Sequence, residues 1–219
     1  MAEPVELKQL ESGDGGLLRQ LYAIYRASIA AREQKPEGWI RAMVGAPRYR
    51  VWVATVGGVV RGFSILFLAP TPAQGGFALL EYMAVAPEER NRGLGATLFT
   101  RSVESAATPG GQRLPVLLEI DSDREASSDR AIRTRRAGFY RRLGCVRIAG
   151  LHYLMPLPGE GPPPEMDLLV HASEPLGPLR QSEMRRWLQT IYRDVYRCTP
   201  DDARIAQMLR DLPDPLLTD

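Results

Sequence analysis

From Val5 to Leu10 apolar and polar residues alternate, the period-two pattern of a strand with one face turned inward. After the turn Ser12-Gly-Asp-Gly-Gly, the residues Leu17, Leu18, Leu21, Ile24, Tyr25 and Ile29 recur at helical spacing. Pro36 opens a second, shorter helix through Trp39, Ile40 and Met43, since its fixed φ suits a helix start. The runs Tyr49–Val56 and Val59–Leu68 are β-rich and are joined by Gly57-Gly58, which supplies the positive φ of a tight hairpin. A loop from Pro70 to Gly76 precedes a third β-rich run, Phe77–Val85, which ends at Ala86-Pro87. A charged loop then leads into a helix over Leu94–Ala107, its apolar face marked by Leu94, Leu98, Val103 and Ala106.

Val116–Ile120 is an unbroken apolar run of the kind found in buried strands. Ser127 or Ser128 is placed to cap a helix running to Leu143, with Gly144 as its stop. Val146–Met155 and Met166–His171 read as two further strands around the proline-rich loop Leu157–Pro164. The order β-α-α-β-β-β-α-β-α-β-β makes the fold class mixed α/β. Beyond residue 172 the pattern changes. Met184, Leu188, Ile191 and Val195 form a helical stripe, and Pro200 opens a short helix with Ile205, Met208 and Leu209. The organisation expected is a domain over residues 1–172 and a helical extension over 173–219, the stripe being covered by the domain or by a second subunit of a homodimer.

Composition narrows the function. A hydrophobic fraction of 44% and a charged fraction of 25% are ordinary for a globular chain, and no apolar run is long enough to span a membrane. The first residues carry no basic patch followed by an apolar stretch, and two cysteines are too few for a disulfide framework, so a cytoplasmic protein is expected. The net charge of +2 is small and acidic residues are interspersed, which argues against a nucleic-acid partner. Lys8 and Lys35 are the only lysines, so the positive charge is carried almost wholly by arginine. Cys145, Cys198, His152 and His171 are too scattered for metal-ligand spacing.

The chemistry concentrates between the third β-rich run and its helix. In Arg90-Asn91-Arg92-Gly93-Leu94-Gly95-Ala96, successive backbone N–H groups can converge on an anion at a helix N-terminus, and Gly93 and Gly95 let a ligand approach the backbone. The loop lacks the Gly-Lys-Ser/Thr of a Walker A sequence and the third glycine of a dinucleotide fingerprint. Taken with its strand, as Leu80-Glu-Tyr-Met-Ala-Val-Ala-Pro-Glu-Glu-Arg-Asn-Arg-Gly-Leu-Gly-Ala, it resembles the GNAT acyltransferase motif Arg/Gln-x-x-Gly-x-Gly/Ala, which binds the coenzyme A pyrophosphate. Arg90, Gly93 and Gly95 fill the fixed places. The segment Arg136-Ala-Gly-Phe-Tyr-Arg-Arg-Leu-Gly-Cys is similar to the same family's Phe-Tyr-x-x-Leu-Gly-Phe pattern, with Cys145 in place of the final phenylalanine.

The resemblance spans roughly Val5 to His171 and implies the GNAT fold, a mostly antiparallel sheet flanked by helices, with acetyl-CoA as acyl donor and a small-molecule or peptide amine as acceptor. It implies that Arg90 to Ala96 hold the pyrophosphate and that the backbone of Met83, Ala84 and Val85 meets the pantetheine arm. Tyr140 would serve the departing sulfur. Two carboxylates compete for the base. Glu119, in Leu118-Glu119-Ile120, resembles the glutamate of ribosomal-protein alanine acetyltransferases, and Glu81 lies on the coenzyme-binding strand. The segment Asp121–Arg135 is longer than the family's usual link, and the family's common asparagine after the strand is missing. The arginines between Arg124 and Arg142 fit a solvated face paired with Asp121, Asp123, Glu125 and Asp129, or contacts to coenzyme phosphate or to an acidic acceptor. A catalytically silent acyl-CoA-binding regulatory module is the alternative function.

Overall fold

The computed structural model describes residues 3–69, 76–124, 127–157, 165–173 and 177–219. In chain order the elements are β1 (Val5–Gln9), α1 (Gly15–Ser28), α2 (Glu37–Met43), β2 (Tyr49–Val56), β3 (Val59–Ala69), β4 (Phe77–Val85), α3 (Leu94–Ser105), β5 (Val116–Asp121), α4 (Arg130–Arg142), β6 (Val146–Arg147), β7 (Tyr153–Leu154), β8 (Glu165–His171), α5 (Gln181–Thr190) and α6 (Ala203–Leu209). They group into two compact units, Met1–Leu68 with Ala78–Arg113 and Ala69–Phe77 with Leu114–Asp219. The mixed α/β class and the mostly antiparallel strand pairing follow the expectation.

In the first unit the hairpin forms where the diglycine places it. Gly57 and Gly58 both have positive φ, 57° and 75°, and β2 and β3 pair antiparallel from Val56 opposite Val59 to Tyr49 opposite Phe67. The register shifts between Ala54 and Thr55, leaving Arg61 as an extra residue in β3. β1 pairs antiparallel with the other edge of β2, and the strand order is β1-β2-β3-β4. β1 keeps little of its apolar alternation inside, since Val5 is 47% exposed. Leu21 and Tyr25 of α1 and Ile40 of α2 bury against Val53, Phe63 and Ile65, while Leu94 and Leu98 of α3 pack with Ala54.

In the second unit β5 and β8 pair antiparallel along their whole lengths, Val116 opposite His171 and Asp121 opposite Met166. The other edge of β8 is shared by β6, opposite Leu169 and Val170, and by β7, opposite Glu165 and Met166. The single strand expected over Val146–Met155 is therefore two short pieces, broken at Gly150, which turns the chain with φ 73°. In place of a continuous strand, Arg147 exchanges backbone hydrogen bonds with Asp219, at 2.8 and 3.0 Å, and Ala149 donates to Leu217.

Other boundaries move for local reasons. Neither Ser127 nor Ser128 caps α4; Asp129 occupies that position and the helix starts at Arg130. Gly144 does end the segment, with φ 86°. α3 stops at Ser105, short of Ala107. Pro200 lies in the turn before α6, which Asp202 caps by accepting from the Arg204 N–H at 3.1 Å. The expected loops Pro70–Gly76 and Leu157–Pro164, and the biased segment Gly159–Pro164, fall largely outside the described residues.

The stripe beyond residue 172 is buried: Met184, Leu188 and Ile191 are fully enclosed and Val195 nearly so. Its helix is not α-helical throughout. After Thr190 the chain widens into a π turn over Ile191–Val195, with Tyr196 donating to the carbonyl of Ile191 at 3.2 Å. Trp187 packs on Phe77 with ring centroids 5.5 Å apart. No described helix is long and apolar enough to cross a membrane.

Full burial of Leu188 makes it a probe of the docked helix. Leu188→Ala is expected to lower unfolding free energy by about 2–5 kcal/mol in urea denaturation. A loss below about 0.5 kcal/mol, the size of a surface substitution, would show that the helix is not part of the fold.

Candidate active site

The sequence dictates the loop after β4 through its backbone angles. Ala86 and Pro87 end the strand, a short 3₁₀ turn covers Pro87–Glu89, and Asn91 and Gly93 take positive φ, 63° and 88°. Asn tolerates the left-handed region better than most residues with a side chain, and Gly enters it without penalty. Gly93 is the cap residue of α3, and a Cβ built on it meets no atom of the described residues within 4 Å, so these leave the space beside this backbone open.

No side chain caps α3 and its first turn holds no acidic residue. Helix geometry leaves the N–H groups of Leu94, Gly95 and Ala96 without intrahelical acceptors and puts the positive end of the helix dipole there. Leu94 is buried and anchors the turn; Gly93 is exposed, and Gly95 and Ala96 are partly so. The nearby acids are engaged elsewhere, Glu88 with Arg61 at 2.8 Å and Glu89 with Arg92 at 3.4 Å. Arg90 is exposed and its Nε donates to the carbonyl of Val85 at 3.2 Å. The exposed loop therefore presents backbone donors and arginines together, a set suited to a multiply charged anion.

β4 changes character along its length. Phe77 to Leu80 are buried, whereas Glu81 to Val85 are partly exposed as whole residues, Glu81 with its side chain inside. Met83 and Val85 pack with Leu94 and Leu98 on one side, and Tyr82 and Ala84 with the α1–α2 core on the other, the alternation of a strand covered on both faces. Gly62 of β3 makes this approach possible: a Cβ there would stand 2.9 Å from Leu98 Cδ1 and 3.0 Å from the Ala84 carbonyl oxygen.

The Glu81 side chain is 2% exposed and forms an ion pair with Lys35, whose own side chain is 11% exposed. Burial pushes the Glu81 carboxyl above the usual range, opposed by the Lys35 ammonium and by a hydrogen bond from Tyr49. The segment that carries Lys35 is tied down twice more: its N–H donates to Tyr25 Oη at 2.6 Å, and Tyr82 Oη donates to the Glu33 carbonyl at 2.9 Å.

The other candidates lie in the second unit. Glu119, on β5 opposite Leu168, is partly exposed and accepts hydrogen bonds from the hydroxyls of Tyr153 and Tyr196, the latter at 2.6 Å. Tyr153 is fully buried, and burial first, then the Glu119 charge, hold its hydroxyl well above the normal phenol range. Tyr140 lies in the last turn of α4, its ring in edge contact with Phe139 and its carbonyl accepting from Leu143 and Cys145. Burial pushes its hydroxyl up to about 12.

The structure thus brings Glu81, Met83, Ala84, Val85 and the 90–96 loop together on β4 and α3 of one unit, and places Glu119 and Tyr140 in the other. The arginines of the 124–142 segment are partly ion-paired: Arg136 with Asp121 at 2.6 Å, Arg133 with Asp129 at 3.1 Å, and Arg124 with Asp167 at 2.5 Å. Asp123 contributes its carbonyl to Arg130, and Glu125 lies outside the described residues. Sequence reading missed Lys35, Tyr153 and Tyr196. The first had a faint signal as one of only two lysines; the tyrosines had none, because neither lies near Glu119 in sequence.

Residues 47–145 match the family model of the GNAT acetyltransferase domain. Similar solved structures include a protein described as a GNAT-family acetyltransferase from Bacteroides thetaiotaomicron, with TM-score 0.67 and 18% identity over 87% of this chain and 98% of that one. The ribosomal-protein-S18-alanine N-acetyltransferase of Escherichia coli is similar at TM-score 0.55 and 20% identity, over 80% of this chain and 97% of that one. NAA60 of Arabidopsis thaliana, solved with acetyl-CoA, is similar at TM-score 0.56 and 17% identity, over 77% and 98%. At these identities the likeness is one of fold. No curated protein matches the chain in sequence.

The buried pair gives a pH-dependent prediction. Removing the ammonium in Lys35→Met takes away the charge that opposes the effect of burial on Glu81, raising its folded-state pKa further above the unfolded value. Above that range the carboxylate must take up a proton or stay charged without its partner, and below it the carboxyl is neutral in both proteins. The stability loss should be small near pH 4 and grow to on the order of 3 kcal/mol at pH 8, read by urea denaturation across pH. A loss that does not change with pH would remove the ion pair from the account.

Proposed function

We propose that this chain is a GNAT acetyltransferase, which transfers an acetyl group from acetyl-CoA to the amine of a small molecule or peptide; the family-model match over residues 47–145 supports the reading. The observation that carries the donor is the left-handed Gly93 at the head of α3, with open space beside its backbone and no acidic residue or side-chain cap in the first turn. A pyrophosphate fits such a set, and among the described residues no side chain caps the first turn in its place.

On this reading the N–H groups of Leu94, Gly95 and Ala96 hold the pyrophosphate, the Asn91–Gly93 backbone shapes the turn, and Arg90 and Arg92 add charge. The partly exposed stretch Met83, Ala84 and Val85 receives the pantetheine arm through its backbone. Acetyl-CoA supplies the acyl group and a thiolate leaving group. Glu119 takes the proton from the attacking amine, its carboxylate kept in place by phenol hydroxyls. Glu81 is the second candidate, disfavoured by its burial and its Lys35 partner. Tyr140, with its hydroxyl pushed up to about 12, stays protonated and stabilises the thiolate by donating a hydrogen bond instead of giving up its proton.

Calorimetry with acetyl-CoA should give one site per chain, and Gly93→Val should weaken it by about tenfold or more, a cost of about 1.4 kcal/mol or more. Absence of heat with any short acyl-CoA would end the proposal. Tyr140→Phe should lower single-turnover acetyl transfer by roughly 10–100-fold, the worth of one hydrogen bond to a charged group, with affinity for acetyl-CoA unchanged. Because the folded-state value is raised to about 12, Tyr140 should introduce no alkaline fall in rate below about pH 11. A Tyr140-dependent fall near pH 9 would mean that its hydroxyl is not held as described.

A further inference from the structure

We infer that Tyr196, supplied by the segment beyond α5, is a positioning residue that holds the Glu119 carboxylate in the orientation and charge state its base role needs. The inference rests on the reading of Glu119 given above.

Glu119 accepts from two phenols that reach it from different parts of the second unit. Tyr153 comes from β7 and is fully buried; Tyr196 stands directly after the π turn and is partly exposed, as Glu119 is. A carboxylate beside solvent can rotate and exchange its partners for water. Donors on both of its oxygens, as here, fix the plane of the group and leave it acceptor-only. Each donated hydrogen bond also favours the charged form over the neutral one.

The backbone on the tail side is built around this contact. In an α-helix each residue advances about 100°, so the wider π turn over Ile191–Val195 changes the direction in which the following side chains leave the helix. Two further bonds fix the new course: Tyr196 N–H donates to the Ile191 carbonyl at 3.2 Å and Cys198 N–H to the Tyr192 carbonyl at 2.8 Å. Arg197 then takes the left-handed φ of 59°, unfavourable for a residue with a Cβ. Tyr192, one turn earlier, donates to the Leu154 carbonyl on β7, which pins the segment next to Tyr153. A π turn followed by a strained residue is the sort of irregularity that occurs at functional sites, and here both flank Tyr196.

Charged and titratable groups reach the carboxylate from several neighbouring elements among the described residues. Tyr153 faces it from β7, Tyr192 and Tyr196 from the tail, and Arg204 of α6 stacks on Tyr192 with its guanidinium 5.4 Å from the ring. Arg204 is itself paired with Asp202, and Cys198 lies beside it. From α4, Arg136 is committed to Asp121, two residues along the same face of β5. Removing only the Tyr196 hydroxyl therefore changes one donor in an otherwise intact set.

The test compares wild type, Tyr196→Phe, Glu119→Gln and Tyr153→Phe by two readouts. Carbon-detected NMR of protein carrying ¹³C-carboxyl glutamate, with Glu119→Gln assigning the signal, follows Glu119 titration without any substrate. The midpoint in Tyr196→Phe should rise by about one pH unit, the order of effect of one lost donor. Single-turnover acetyl-CoA consumption, with the fastest acceptor among an alanyl peptide, a polyamine and an aminoglycoside, should show the acidic limb moving up by the same amount. Tyr153→Phe should move both in the same direction, and Glu119→Gln should abolish the limb. An unchanged midpoint in a folded Tyr196→Phe protein overturns the inference. A shifted midpoint with full turnover in Glu119→Gln overturns the base reading of Glu119 and leaves the tail contact standing. A shifted midpoint with an unmoved acidic limb, in a protein whose limb needs Glu119, denies Tyr196 its positioning role.

Discussion

An α-helix cannot satisfy the N–H groups of its own first turn, and among the described residues no side chain caps them at α3. A residue with a side-chain oxygen at the cap, or an acid in the first turn, would have closed the account locally. Instead the cap is Gly93 at φ 88°, and the nearby acids are occupied by Arg61 and Arg92. The surrounding packing holds the turn in place. Leu94 and Leu98 bury with Ala54, β4 lies against them, and β3 can come this close only because Gly62 has no Cβ.

The two candidate carboxylates are held in opposite ways. Glu81 has been taken almost wholly out of water and is compensated by the full charge of Lys35, an arrangement that ties β4 to the segment before α2 and leaves the carboxyl reluctant to ionise. Glu119, partly exposed as a residue, is held by neutral phenol donors, which orient it without cancelling its charge. A general base needs a free lone pair and access to its acceptor, so the second arrangement suits proton transfer and the first suits architecture.

The residues beyond 172 gain a purpose from the same comparison. The matched family domain ends at residue 145, yet the later chain buries Met184, Leu188 and Ile191 and delivers a hydroxyl to Glu119. Residues 217–219 bond back to 147–149, so this stretch is woven into its unit at both ends.

The sequence by itself determined what depends on local backbone preference and periodicity. Gly57-Gly58 announced its hairpin, Gly144 its helix end, and Arg90 to Ala96 a glycine-bearing loop between a strand and a helix, because positive φ and alternating or helical spacing are properties of short segments. Where the same local rules were applied to Val146–Met155 and to the stripe through Val195, they gave one strand and one helix; the fold breaks the first at Gly150 and widens the second into a π turn. Only the tertiary structure decided which distant residues meet. Lys35 reaches Glu81 across 46 positions and Tyr196 reaches Glu119 across 77, and no pattern within a segment records such a partner. Burial of a polar group has to be compensated by whatever the folded chain brings alongside, and that is fixed by packing, not by spacing along the sequence.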